Sequence, residues 1–317
     1  MPLTLPKWFA AAGSAARASR GDQLASAKME PGLDVVIVSY RCAPLLRACL
    51  GSLRQHPPSV PVAVHVVDNA SGDGTAEMIA TEFPEVILTA REQNLGFSAA
   101  NNIAIREGTS PYVLALNPDT EVTAGALELM LELMERRPEV GISGPRLERP
   151  DGSFDHAARR SFPTPLGALG HFTGAGRRGG APGSLAQYRA PEVEAGPVDA
   201  VNGAFMLIRR SALETVGLFD EGYWMYMEDL DLCYRFAAAG WTTWFEPAAT
   251  VIHVKAGTSG VNRSLKLNHA FHYGMHRFYR SHYAAARHPL VNAAIYAGIW
   301  VKFGFSAVRS ALARARA

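Results

Sequence analysis

A chain of 317 residues with 48% hydrophobic content has ample material for a globular core, which excludes disorder throughout and leaves one large domain or two small ones. The formal charge of +2 is nearly neutral, yet residues 247–317 carry ten Lys or Arg and no Asp or Glu. That end should face something anionic: phospholipid, a phosphorylated substrate or nucleic acid. Cys42, Cys49 and Cys233 are odd in number and contain no Cys-x-x-Cys pair, so they read as reduced thiols of a cytosolic protein.

Residues 1–32, rich in Ala, Ser and Arg, read as a flexible tail whose apolar cluster, 3–12, is too short and weak for a secretory leader. The run Leu33-Asp-Val-Val-Ile-Val-Ser39 has the pattern of a strand buried on both faces. A helix over 44–55, a strand over 62–67, a helix over 75–83, a short strand over 86–89, a helix over 97–107 and a strand over 112–116 follow. Such alternation predicts a parallel α/β sheet with right-handed crossovers. An amphipathic helix over 123–137, stopped by Pro138, leads to Val140-Gly-Ile-Ser-Gly144. Between 149 and 197 Gly, Pro, Arg and Ser dominate and periodicity fades, as in a functional or disordered loop.

Regular structure resumes over 198–208, a predicted strand in which Gly203 permits a close backbone approach. After the carboxylate-rich stretch 217–235 come apolar runs at 241–245 and 250–253. From Leu290 onward, Leu290, Ala294, Ala297, Val301, Phe305, Val308 and Leu312 step by four or three, with Lys302, Ser306, Arg309 and Ser310 on the other side. This predicts a basic amphipathic helix lying in a membrane interface. The alternatives are packing on the protein's own core, or spanning, which Asn292 and Lys302 would interrupt.

In open α/β sheets ligands sit beyond the carboxyl ends of the strands, and the polar clusters of this chain occur there. Ser39-Tyr40 closes the first strand and Asp68-Asn69 the second, where a carboxylate can accept a hydrogen bond from an imide N–H such as that of uracil or thymine. Asp73 and Gly74 are adequately explained as part of the next helix cap. Asn94-Leu-Gly96-Phe97-Ser98 opens the helix carrying Asn101 and Asn102, where phosphate can bind, an ordinary cap being the equal alternative. Asp119 of Asn117-Pro-Asp119 can hold Mg²⁺ or Mn²⁺ on a diphosphate, or merely close an Asx turn. His253 can be a second ligand or an ordinary buried histidine.

Glu228-Asp229-Leu-Asp231 places three acids in four positions behind the apolar run Tyr223-Trp224-Met-Tyr226-Met. Asp231 and Arg235 have the spacing of a helical ion pair. Glu228 and Asp229 start the helix, where its dipole favours them, and adjacent acids point in different directions, so only one can meet a substrate.

In order along the chain, Val-Ile-Val-Ser-Tyr40, Asp68-Asn-Ala-Ser-Gly-Asp-Gly74, Asn94-Leu-Gly-Phe97, Leu116-Asn-Pro-Asp-Thr120, Gly203-Ala-Phe-Met-Leu207, Phe219-Asp-Glu221, Met227-Glu-Asp-Leu-Asp-Leu-Cys233 and His253-Val-Lys-Ala-Gly-Thr-Ser259 resemble the family-2 glycosyltransferases of GT-A fold, in particular their bacterial rhamnosyltransferase-like branch. The resemblance implies an α/β GT-A domain with a mostly parallel, helix-flanked sheet over 33–259. Residues 33–145 would form the nucleotide-sugar half, 146–259 the acceptor half, and 260–317 a basic helical extension.

Ser39, Tyr40, Asp68, Asn69, Asp73, Asn94, Gly96, Phe97 and Asn101 would hold the nucleotide, with Asp68 reading the base. Asp119 would end the metal-binding Asp-x-Asp motif and His253 would assist it. Asn117 replaces the motif's first Asp, so the site has one formal charge fewer. Asp229 would be the catalytic base with Glu228 beside it, and Gly203, Tyr223, Trp224 and Tyr226 would line the acceptor site.

The implied activity is inverting transfer of a sugar, L-rhamnose foremost, from a dTDP- or UDP-sugar to a saccharide or polyprenyl-linked acceptor. It would occur at the cytoplasmic face of an anionic membrane, without nucleic acid. A sugar-1-phosphate nucleotidyltransferase and a non-catalytic saccharide-binding protein on the same scaffold are the competing expectations.

Overall fold

The computed structural model describes residues 32–163, 194–254 and 264–315. The predicted tail, most of the 149–197 segment and the Gly-Thr-Ser after His253 lie outside them. The first half runs β1 (Leu33–Ser39), α1 (Ala43–Gln55), β2 (Val62–Asp68), α2 (Thr75–Glu82), β3 (Ile87–Ala90), α3 (Phe97–Glu107), β4 (Tyr112–Leu116), β5 (Thr120–Val122), α4 (Ala126–Arg136) and β6 (Val140–Glu148). The second half has the short strands β7 (Arg159–Arg160), β8 (Gly196–Pro197) and β9 (Ala200–Val201), then β10 (Phe205–Arg209) and α5 (Arg210–Val216). It ends with α6 (Glu228–Ala238), β11 (Thr242–His253), α7 (Leu265–His282) and α8 (Pro289–Ala315).

The main sheet has the order β3-β2-β1-β4-β10-β6-β11-β5, with β8 beside β11. β1 to β4 are mutually parallel and β6 is parallel to β11, whereas β10 runs against β4 and β6, and β5 and β8 against β11. The sheet is thus mostly parallel, as expected, with β10, β5 and β8 as its antiparallel members. Alternate residues of β1 explain its continuous apolar run: Leu33, Val35 and Ile37 pack under α1, α2 and α4, while Val36 and Val38 pack with α3, α5 and α6 on the other face.

Register aligns the polar strand ends at one end of the sheet. Ser39 pairs with Asp68, Phe205 with Leu116, and His253 with Thr120. The predicted 198–208 strand is interrupted, because Asn202 Oδ1 accepts from Ala204 N and the Gly203 N–H is drawn to the Asp229 carboxylate instead of a ladder partner. The two runs at 241–245 and 250–253 are one strand, β11, whose pairing shifts register between Glu246 and Thr250.

α8 forms over the predicted residues, but its apolar stripe faces outward: Leu290 and Phe305 are 75% exposed, and Val301 and Val308 are 57% and 59% exposed. The side chain of Leu312 lies outside the described set. The opposite face packs on α7 through aromatic and polar contacts that need no aliphatic stripe. Trp300 Nε1 donates to His276 Nδ1, Tyr296 stacks on His276, and Tyr279 donates to Asn292.

Candidate active site

The β1 and β2 ends turn sharply through non-glycine residues in the left-handed region, Arg41 (φ 54°) and Ala70 (φ 66°). Such strain persists only where surroundings over-determine it. Ser39 is buried with its hydroxyl 3.4 Å from the Cys42 thiol, whereas Tyr40 is exposed. Asp68 Oδ1 accepts from Ser71 N. Asp73 accepts from Ala43 N, Thr75 N and the Thr75 hydroxyl, which together hold its carboxyl below the usual range despite the opposing effect of burial.

Asn69 fastens the next loop. Its amide donates to Asn94 Oδ1 and the Gly96 carbonyl and accepts from Leu95 N, which commits both ends of the amide to the protein. Gly96 has φ 84°, and a Cβ there would collide with the Trp224 carbonyl. That carbonyl also accepts the Phe97 N–H at 2.8 Å, so this N–H of α3 binds the Trp224 wall, not a phosphate. Asn101 Nδ2 donates to the Phe97 carbonyl within the helix. Asn102 clasps both the N–H and the carbonyl of Phe219 and reaches Glu221. The donor-side helix is thereby tied to the loop that leads into the acids.

At the β4 end, the Asn117 carbonyl accepts from the Thr120 hydroxyl, and its N–H donates to Ala204. Asp119 is 3% exposed, and its Oδ1 has no hydrogen-bond partner among the described residues. His253, at the end of β11, stands with Nε2 3.6 Å from Asp119 Oδ1 and Nδ1 3.4 Å from Asp155 Oδ2. Burial lowers the imidazole's pKa, but the flanking carboxylates prevail and raise it to about 9. Among the described residues no three His, Cys, Asp or Glu side chains converge as a metal cage. An orphaned carboxylate oxygen beside an imidazole nitrogen nevertheless fits a Mn²⁺- or Mg²⁺-type cation whose other ligands come from a diphosphate.

α6 is entered through two successive left-handed residues, Tyr226 (φ 72°) and Met227 (φ 74°). They set the first turn so that Asp229 Oδ2 accepts from Gly203 N at 2.9 Å and from Arg160 Nη2 at 2.5 Å, while Oδ1 accepts from Leu230 N. A Cβ on Gly203 would press within 3.3 Å of that carboxylate. Asp231 makes the predicted pair with Arg235 and also meets His282 Nε2 at 2.7 Å.

Glu228 is buried, with Oε2 unpartnered among the described residues. Burial first, then the neighbouring Asp229 charge, raises its pKa to about 8. This carries a stability consequence. Below about 4.5 the group is protonated folded or unfolded; as pH rises from there to about 8, only the unfolded chain releases the proton, so stability falls. Glu228→Gln should remove that fall, its advantage over wild type growing by up to ~1.4 kcal/mol per pH unit and levelling off above the folded pKa. Urea unfolding between pH 5 and 9 measures it, and parallel curves for the two proteins would refute it.

Of the expected acceptor wall, Trp224 and Tyr226 are half-buried, with the Lys266 ammonium 3.8 Å over the Trp224 ring and Phe271 edge-on to Tyr226. Tyr223 is 1% exposed and its hydroxyl donates to Asp231, so its ring is core and not open surface. Asp155 and Arg160 were missed. The only signal was an acid and a paired Arg159-Arg160 at the start of a segment otherwise short of pattern.

A helix-flanked, mostly parallel sheet with acids at its strand ends defines a GT-A glycosyltransferase architecture. Among solved structures it resembles GalNAc-T7 with UDP, GalNAc and Mn²⁺ (TM-score 0.57, 16% identity, covering 80% of this chain and 48% of that one). It also resembles a mannosyltransferase from Pyrobaculum calidifontis in complex with GDP-Man and Mn²⁺ (TM-score 0.55, 18% identity, covering 91% and 75%). The family described as "Glycosyl transferase family 2" matches residues 34–217. The chain belongs to that family and is a glycosyltransferase, which sets aside the nucleotidyltransferase and non-catalytic expectations. It is 35% identical over 245 residues, 72% of this chain and 78% of the relative, to the N-acetylglucosaminyl-diphospho-decaprenol L-rhamnosyltransferase of Mycobacterium tuberculosis.

Proposed function

We propose that the chain transfers L-rhamnose, with inversion, from a dTDP- or UDP-sugar to a lipid-linked saccharide diphosphate. The observation that carries this is the placement of Asp68, Asp119 with His253, and Asp229 at the tip of α6 along the carboxyl-terminal ends of the sheet's strands. The likeness to a relative named for that reaction supports the substrate class. Asp68 accepts the base N–H, and the expected nucleotide residues around it shape the donor pocket. Asp119 and His253 hold a divalent cation, which supplies charge neutralisation for the departing diphosphate. Asp229 takes the proton of the acceptor hydroxyl as it attacks the anomeric carbon. Arg160 and the Gly203 N–H fix the carboxylate's direction, and Trp224 and Tyr226 offer ring faces to the acceptor. Incubating the protein with dTDP-L-rhamnose and a GlcNAc-diphospho-polyprenol, with Mn²⁺ or with EDTA, tests the assignment. Absence of rhamnosylated lipid while another nucleotide sugar is consumed would overturn the donor.

The acceptor's lipid gives the outward stripe of α8 a partner. α7 joins that helix to the acceptor wall, for Arg277 pairs with Asp220 and Gly274 lies against Tyr226 and Met227. Leu290, Val301, Phe305 and Val308 enter the interface of an anionic bilayer at the cytoplasmic face, aided by the surplus of basic residues in 247–317. Residues 289–311 are long and apolar enough to cross a membrane, but exposure confined to one stripe favours lying in the interface. Val301→Ser with Phe305→Ser should weaken sedimentation with phosphatidylglycerol vesicles by roughly tenfold or more, since a buried Phe alone contributes about 1.5–3 kcal/mol. Unchanged partitioning would remove the stripe from the membrane contact.

A further inference from the structure

Asp155 is 1% exposed, on the turn that follows β6, where its N–H donates to Leu147 and its carbonyl accepts from Ala158. One carboxylate oxygen, Oδ1, accepts the Ala157 N–H and so belongs to the turn. The other, Oδ2, lies 3.4 Å from Nδ1 of His253, whose Nε2 faces Asp119 at 3.6 Å. Arg149, a further charged neighbour, stands at 3.9 Å, beyond hydrogen-bond range. The imidazole therefore lies between carboxylates of two different elements, one facing each nitrogen at a distance longer than an ordinary hydrogen bond.

A histidine that ligates a metal needs the lone pair of one nitrogen and must carry its proton on the other; a carboxylate beside that other nitrogen selects the tautomer and fixes the ring. Asp155 stands on the side of the ring away from Asp119, so it cannot join the same cation and can only act through His253. We propose that Asp155 is a positioning residue for the donor's cation: it holds the proton of His253 on Nδ1 and presents Nε2, beside Asp119, as the ligand. This rests on the metal-binding reading of Asp119 and His253. A purely structural Asp155 needs only the Oδ1 acceptor for its turn, which an asparagine also supplies.

The test is Mn²⁺ binding followed by electron paramagnetic resonance in the presence of UDP or dTDP. Asp155→Asn should raise the Mn²⁺ dissociation constant about 10- to 100-fold, with nucleotide affinity in EDTA unchanged within about twofold. In the wild-type chain with Mg²⁺ and UDP, ¹⁵N spectra of the His253 ring should show the proton on Nδ1, a readout that needs no variant to fold. A proton on Nε2, or wild-type Mn²⁺ affinity in folded Asp155→Asn, overturns the role of Asp155 alone. Wild-type protein that takes up no Mn²⁺ with either nucleotide overturns the metal reading of Asp119 and His253, and Asp155's role with it.

Discussion

Asp229→Asn is expected to abolish transfer, by about 10²- to 10⁴-fold in kcat, while leaving donor nucleotide binding intact. The substitution keeps the shape of the side chain and removes its capacity to take a proton. Its cost elsewhere is local and readable. Asp229 accepts at both oxygens, from Leu230 N on one and from Gly203 N and Arg160 on the other. An amide can accept at only one end, so its NH₂ must face a donor, and Arg160 loses its anion. Loss of this one ionic partner of a mostly buried guanidinium, together with an unmet N–H, costs about 1–3 kcal/mol of stability. A folded variant with slightly lowered stability, normal UDP or dTDP affinity and no turnover is the expected outcome, read by isothermal titration and by single-turnover assay. Turnover near the wild-type rate would remove Asp229 as the base. Glu228 is a poor replacement, because burial, the main cause of its raised pKa, remains in the variant and favours the protonated carboxyl.

The first half of the chain was legible because its physics is local. Strands buried on both faces are continuous apolar runs, and β1 and β4 read largely that way, with polar residues where each run stops. Strand direction has no such signature, so nothing marked β10 as antiparallel. The break at Asn202–Ala204 was likewise hidden, since it depends on a carboxylate 26 residues further on.

Burial separated residues that composition had grouped. Tyr223 and Trp224 are neighbours in one aromatic run, yet Tyr223 reaches inward to Asp231 while Trp224 meets Lys266. Asn69 and Asn94 are singled out as ligand contacts because amides at strand ends suit that purpose; in the fold both ends of the Asn69 amide and the oxygen of Asn94 also fasten the loop. Asp155 and Arg160 escaped because their partners, His253 and Asp229, are distant in sequence and their own segment lacks periodicity. The stripe on α8 was read correctly as an amphipathic face. Which face meets α7 was not readable, since histidine–aromatic stacking there takes the place of an aliphatic seam.

The second large effect is expected at Asp119. With Asn117 where the motif's other acid would stand, Asp119 supplies the only formal negative charge among the residues assigned to hold the cation directly. It shares that task with the His253 imidazole, which ligates only in its neutral form. Removing the carboxylate therefore removes the whole charge complement, where a site with two acids would keep half. Asp119→Asn preserves volume at a residue 3% exposed, so the fold should survive. Charge stabilisation by a bound metal is worth several kcal/mol in a transition state, and losing about 3 kcal/mol of it corresponds to roughly 10²-fold in kcat/KM. The variant should also need far more Mn²⁺ to reach its residual rate. Nucleotide affinity measured in EDTA should not change, because the base contact proposed for Asp68 belongs to a different strand. Titrating Mn²⁺ against the rate at fixed donor concentration separates the outcomes. A displaced metal optimum with a depressed plateau supports the assignment, whereas an unaltered metal profile would mean that the diphosphate is neutralised elsewhere, with basic side chains as the remaining candidates.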